Sequence, residues 1–198
     1  MPLPDPEQKF GEDYYGRFYG SAPVHTKNRV GHLAGAVTSL FGWWGLKLAT
    51  VLDIGAGPGY WRDWFAENRP RVMYRSTDIS PYACERFGHE QRDISVWKPG
   101  APSDLVVCQG VLQYLPTARA ATAIEHLTMA TRHLLYLEVP TIYDRDFVVD
   151  QEHTDLDCNW RTGDWYRRRL APNFVQVGAG LWGKRDGAVP FYELERCR

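Results

Sequence analysis

The stretch "VLDIGAGPGYW", Val51 to Trp61, decides how the rest of the chain is read. Val51, Leu52 and Ile54 make a short apolar run, "TVLDI" (50–54), that stops at glycine and suits a buried strand. Gly55, Gly57 and Gly59 follow, and "YWRDWFAEN" (60–68) has the character of a helix. A strand, a glycine bend and a helix start make a place where backbone can approach a ligand without Cβ clashes. The spacing is GxGxG, and Tyr60 stands where a dinucleotide loop carries a further glycine. Asp53 lies two residues before Gly55. A carboxylate there would repel a pyrophosphate and would suit a ligand bearing positive charge.

Outward from this loop the chain alternates. Val30, Leu33, Ala34, Val37, Leu40 and Phe41 recur at helical spacing after Thr26, a cap residue. "RVMYRSTD" (71–78) reads as a strand, "SPYACERF" (80–87) as a short helix, and "HEQRD" (89–93) as a weak strand. "SDLVVCQG" (103–110) and "HLLYLEV" (133–139) are further strands around a helix, "TARAATAIEHLTMATR" (117–132). Such alternation specifies a parallel sheet covered on both faces. "TGDWYRRRLA" (162–171) reads as helical. "FVQVGAGLW" (174–182) and "AVPFYELER" (188–196) read as two strands, with Asp186-Gly187 as the hairpin cue between them. Residues 140–161 fit neither period and are expected to form an inserted loop or cap. Residues 1–25 form an aromatic lead-in to what reads as a single domain over 1–198.

Bulk properties narrow the class. The 198 residues are 44% hydrophobic and 24% charged, as in ordinary folded proteins, and the formal charge of −1 gives no basic field for nucleic acid. "MPLPDPEQKF" has no apolar stretch behind it, so neither a signal peptide nor a membrane span is expected. Cys84, Cys108, Cys158 and Cys197 contain no CxxC pair, which fits free thiols in a cytoplasmic protein.

Two more acids follow predicted strands. Asp78 with Ile79 ends "STDIS", where a carboxylate can accept both hydroxyls of a ribose, and Asp93 with Ile94 stands in "QRDIS", suited to a purine amine and face. With "VLDIGAGPGYW", "DLVVCQGVLQYL" and the closing hairpin, these residues give a sequence that resembles the class I S-adenosylmethionine-dependent methyltransferases over about residues 26–198. The resemblance implies a Rossmann-like three-layer α/β sandwich with a mostly parallel seven-stranded sheet and an antiparallel C-terminal hairpin strand. It implies that Asp53, Gly55, Ala56, Gly57 and Gly59 lie under the methionine part of S-adenosyl-L-methionine. Asp78 and Ile79 would hold the ribose, Asp93 and Ile94 the adenine, and Gln109, Gly110 and Gln113 would face the methyl group.

The implied function is methyl transfer to a small-molecule acceptor, a metabolite, natural product or sugar, with oxygen, nitrogen or carbon as the methylated atom. The alternative is a cofactor-binding regulatory or partner-dependent protein without turnover of its own. A nicotinamide dehydrogenase is disfavoured by Asp53 and Tyr60. The Asn/Asp-Pro-Pro-aromatic motif of amide and nucleobase enzymes is replaced by "CQGVLQYL", and the acids of metal-dependent relatives by Gln109 and Gly110.

His153 in "DQEHTDLD" is the candidate general base, with Glu138 at the end of the fifth strand as a second. The acid and histidine density around His153 is read as a solvated loop rather than a metal site. The 140–161 insertion is expected to cap the substrate, and its acids point to a polar or cationic one. Tyr14, Tyr15 and Arg17 are expected to fold over the cofactor near its carboxylate. A monomer or homodimer is expected.

Overall fold

The computed structural model describes residues 5–21 and 23–195, so Met1–Pro4, Ala22 and 196–198, with the expected free thiol Cys197, lie outside the described residues. Two short helices lead, α1 (Pro6–Lys9) and α2 (Glu12–Tyr19), where the sequence reading assigned no element. A long helix follows, α3 (Lys27–Trp43), capped by Thr26 Oγ1, which accepts the Arg29 amide at 3.2 Å. The alternating core is β1 (Thr50–Ile54), α4 (Tyr60–Asn68), β2 (Met73–Asp78), α5 (Pro81–Phe87), β3 (Glu90–Gln91), β4 (Ser103–Gln109), α6 (Thr117–Ala130) and β5 (Thr131–Glu138). The chain ends with α7 (Ile142–Phe147), α8 (Gly163–Leu170), β6 (Phe174–Gly178) and β7 (Leu181–Lys184).

The seven strands form one sheet in the order β3-β2-β1-β4-β5-β7-β6. β1 to β5 pair in parallel, while β7 runs antiparallel between β5 and β6. Apolar runs become buried strands because both faces are covered. Along β4, Leu105 and Val107 point to one layer and Val106 and Cys108 to the other, as the two-residue strand period requires. The first layer packs on Val30, Val37 and Phe41 of α3 and Phe65 of α4. The second packs on Ile124 and Leu127 of α6 and Leu170 of α8. Each fully buried aliphatic or aromatic side chain contributes about 1.5–3 kcal/mol.

The hairpin lies elsewhere than expected. "FVQVGAGLW" is not one strand but two, folded at Gly178-Ala179-Gly180, where φ is +117°, +48° and +79°. A Cβ at Gly180 would stand 2.8 Å from the Tyr136 ring, so glycine suits both the backbone and the close approach. Asp186-Gly187 closes only a local turn, with the Gly187 amide donating to the Lys184 carbonyl at 3.1 Å. Residues 188–192 then run outside the sheet, and Val189 packs into the α3–α4 layer.

The strand order turns back on itself between β1 and β4. In open α/β sheets that point leaves a crevice at the carboxyl ends of the strands. The loop 55–59 after β1 and Gly110 after β4 border this crevice, and α2 lies over it.

Candidate functional site

The glycine loop is shaped by positive φ at Gly55 (+69°), Gly57 (+54°) and Gly59 (+80°). A Cβ at Gly55 would overlap Val111 Cγ2, and one at Gly57 would reach the Tyr19 ring and hydroxyl. The bend is tied across the sheet. The Gly55 and Ala56 amides donate to the Thr77 carbonyl at 2.8 and 3.0 Å, and the Gly57 amide donates to Asp78 Oδ2 at 2.9 Å. Asp78 Oδ1 accepts the Ser80 amide at 2.9 Å. Burial still holds the Asp78 carboxyl above its ordinary value, against the pull of these amides.

Two adjoining cavities open here. The smaller, about 70 Å³, is bounded by Gly55 and Gly57, by Asp78 and Ile79, and by Asp93 and Ile94. Phe10, Tyr14, Tyr15 and Tyr19 close it from the N-terminal side. The larger, about 590 Å³, is bounded by Asp53, Ala56, Gln113, Glu138 and His153, with His25 and Arg29 at its α3 side. Gly55, Gly57, Gln109 and Gly110 border both. The structure therefore gathers nearly all the residues singled out by sequence into one continuous site.

Two do not join it. Gly59 borders neither cavity but serves as the left-handed cap of α4, above the Arg62 guanidinium. Arg17 is exposed, with its guanidinium 5.1 Å from the Phe18 ring centroid. The arginine that borders the larger cavity is Arg29, on the first turn of α3, with Nη1 donating to the Val24 carbonyl at 3.2 Å. Asp93 is partly committed as well. Its Oδ1 accepts the Ser95 amide at 2.8 Å and its Oδ2 lies 3.3 Å from Arg119 Nη1.

Asp53 is buried and takes a 2.6 Å hydrogen bond from the Tyr74 hydroxyl. Burial pushes its carboxyl up to about 7, with Tyr74 and Arg62 pulling against that shift and Asp78 adding to it. Glu138 is better served. Its Oε2 accepts the Tyr136 hydroxyl at 2.6 Å and Gln109 Nε2 at 3.3 Å, while His25 Nε2 lies 2.7 Å from Oε1. Burial pushes Glu138 up, but the contacts with His25, Tyr136 and Gln109 outweigh it and hold it below its usual range. His153 instead turns to the rim, where its Nδ1 is 2.9 Å from Asp150 Oδ2. Gln113 Oε1 is buried and has no hydrogen-bond partner among the described residues.

The N-terminal segment is clasped down. Ser80 Oγ donates to the Phe10 carbonyl at 2.6 Å, the Tyr14 and Tyr114 hydroxyls are 2.9 Å apart, and Lys9 Nζ reaches Asp157 Oδ2 at 2.5 Å. Tyr14 and Tyr15 thus form part of the wall of the smaller cavity, and Tyr14 borders the larger one as well.

Sequence reading missed His25 and Arg29. Neither belongs to a motif, and each reaches the site only because α3 starts beside the glycine loop.

The fold and this crevice define a class of α/β transferase, and comparison with known proteins places the chain in it. The model of the methyltransferase domain family matches residues 26–174, and the chain belongs to that family. A trans-aconitate 2-methyltransferase from Azoarcus sp. (strain BH72) is 32% identical over 108 residues, 48% of this chain. The chain spans only 41% of that relative's length. Among solved structures, magnesium protoporphyrin IX methyltransferase from Synechocystis PCC 6803, with bound S-adenosylhomocysteine, is 19% identical and superposes with a TM-score of 0.56 over 90% of this chain and 94% of that one. An amino pentose methyltransferase from Micromonospora echinaspora, with bound S-adenosylmethionine, is 15% identical with a TM-score of 0.58 over 82% and 92% of the two chains. At these identities the likeness is one of fold. The family uses S-adenosylmethionine as its cofactor. Among the described residues, no helix is long and apolar enough to cross a membrane.

Proposed function

We propose that this chain transfers the methyl group of S-adenosylmethionine to a small-molecule acceptor. The observation that carries the reading is the Gly57–Asp78 hydrogen bond, which fixes the glycine bend and a buried carboxylate on one wall between two joined cavities. The residues fit the cofactor. Gly55 and Gly57 border both cavities with bare backbone, and Asp78 has lone pairs left for two ribose hydroxyls. Ile79, Ile94 and Val111 offer apolar walls to a purine. Arg29 suits the cofactor's carboxylate, and Asp53 suits its cationic end.

When bound, the cofactor supplies a methyl carbon already activated by sulfonium charge. The protein's work is then mainly placement. It has to align an acceptor atom with that carbon at about 3 Å and keep water away. Gln109 is well held for this, since its Oε1 accepts Trp61 Nε1 at 2.9 Å while its Nε2 reaches Glu138. The larger cavity, bounded on one side by residues from the 140–161 insertion, is the acceptor's place.

The test is release of S-adenosylhomocysteine from S-adenosylmethionine across a panel of small acceptors. Acceptor-dependent release supports the reading. Tight cofactor binding with no release across the panel would favour a binding protein without turnover of its own.

A further inference from the structure

The larger cavity is rich in hydrogen-bond acceptors and negative charge. Asp53, Glu138, Asp144, Asp150 and Asp155 border it, against one guanidinium, Arg29, and two histidines, His25 and His153. S-adenosylmethionine brings one net positive charge. Together with Arg29 it offsets two of the five carboxylates, and Lys9, 3.6 Å from Asp155, offsets a third. The acceptor therefore enters a volume that is still negative. Gln113 also borders this cavity and is 6% exposed, with its Oε1 sealed inside the protein.

We infer that the methyl acceptor is an amine that enters as its ammonium form, and that His25, oriented by Glu138, takes its proton before transfer. This rests on the methyl-transfer reading above. A carboxylate acceptor would meet repulsion from Glu138 and would have no proton to give up. An ammonium gains from the carboxylates, but its nitrogen has no free electron pair. With Nε2 directed at Glu138, His25 has Nδ1 left to accept a proton, and Nδ1 has no hydrogen-bond partner among the described residues. The Glu138 carboxylate then stabilises the imidazolium that results.

The balance is complete without another reagent. One N–H bond of the acceptor breaks and its proton goes to His25. The freed pair forms the new nitrogen–carbon bond, and the pair of the broken carbon–sulfur bond stays on sulfur. His25 afterwards returns the proton to solvent. His153, paired with Asp150 at the rim, takes no part in this step.

The experiment is calorimetry on the protein saturated with S-adenosylhomocysteine, titrated with matched sets of probes. Tyramine, tyrosol and hydroxyphenylacetate form one set, and glucosamine, glucose and glucuronate another. Putrescine, butanediol and succinate form a third, with trans-aconitate as a further anion. At least one amine should bind more than tenfold tighter than its alcohol and acid partners. Binding that favours an alcohol, an acid or trans-aconitate, or silence across all three amines, overturns the inference. On an amine that is turned over, His25→Ala should lower kcat at least about 100-fold, the usual share of a positioned base, with amine affinity and S-adenosylhomocysteine affinity kept, and imidazole should restore part of the rate. An unchanged kcat removes His25 from the step. Absence of heat with S-adenosylhomocysteine itself would instead reject the methyl-transfer reading, so the two failures are distinct.

Discussion

The Gly57 amide donates a 2.9 Å hydrogen bond to Asp78 Oδ2, joining the loop after β1 to the end of β2. One carboxylate thus shapes the bend and borders the smaller cavity. Asp78→Asn keeps an acceptor oxygen for only one of the Gly57 and Ser80 amides and loses the charge that favours two ribose hydroxyls. The variant should unfold below the wild-type Tm while still folding, and bind S-adenosylhomocysteine about 1–3 kcal/mol more weakly, read by calorimetry. Equal affinity would remove Asp78 from the cofactor site.

Gly55 should tolerate no side chain. Its φ of +69° costs an L-residue about 1–3 kcal/mol, and a Cβ there also meets Val111. Gly55→Ala should lower Tm by roughly 2–4 °C for each kcal/mol lost and should weaken cofactor binding. Gly88 is a control: it has a φ of +76° with nothing near its Cβ, so Gly88→Ala should cost the backbone strain alone and leave cofactor affinity unchanged.

Asp53 gives the site a pH dependence. Burial raises its carboxyl to about 7, so in the ligand-free protein it is mostly protonated at pH 6. A cationic ligand favours the carboxylate and must expel that proton. Affinity for S-adenosylmethionine should therefore fall as pH drops below about 7, by at most tenfold per pH unit. Asp53→Asn should flatten this limb. The sign for folding is the reverse: a carboxyl raised above its unfolded value contributes stability present below about 3.8 that is lost as pH rises through about 7.

The clasped N-terminal segment should retain the cofactor. Removing residues 1–20 takes away the wall formed by Phe10, Tyr14, Tyr15 and Tyr19 and should cost roughly 1–3 kcal/mol of S-adenosylhomocysteine affinity. Lys9→Ala removes only the pairs with Asp155 and Asp157 and leaves the aromatic wall in place, so it should weaken binding less than the truncation does. Faster release of S-adenosylhomocysteine from the truncated protein, by stopped flow, checks the same point. An unchanged release rate would make the segment a scaffold rather than a cover.

Much of this was legible in the sequence where local rules and the sheet agree. Strands such as Leu105–Cys108 announce themselves because both faces are buried, and Thr26 and Ser80 cap helices through their own side chains. Asp53, Gly55, Gly57 and Asp78 are close in the chain and read as a unit. The hairpin misled because Asp186-Gly187 has the stronger local turn signal, while Ala179, a non-glycine residue at φ +48°, sits in the real turn between two glycines. Arg17 looked like the basic group because it stands among the aromatics that cover the cavity, yet α2 turns it to solvent. His25 gains its meaning from Glu138, a partner from the far side of the sheet sequence, and no periodicity encodes that meeting.

The central claim is that a glycine bend beneath Asp53 and beside Asp78 holds S-adenosylmethionine. Calorimetric titration of the protein with S-adenosylmethionine, beside NAD and ATP, tests it most directly. Saturable one-site heat is expected with S-adenosylmethionine, diminished in Asp78→Asn, and none with the phosphate-bearing nucleotides. Heat with NAD or ATP and none with S-adenosylmethionine would contradict it.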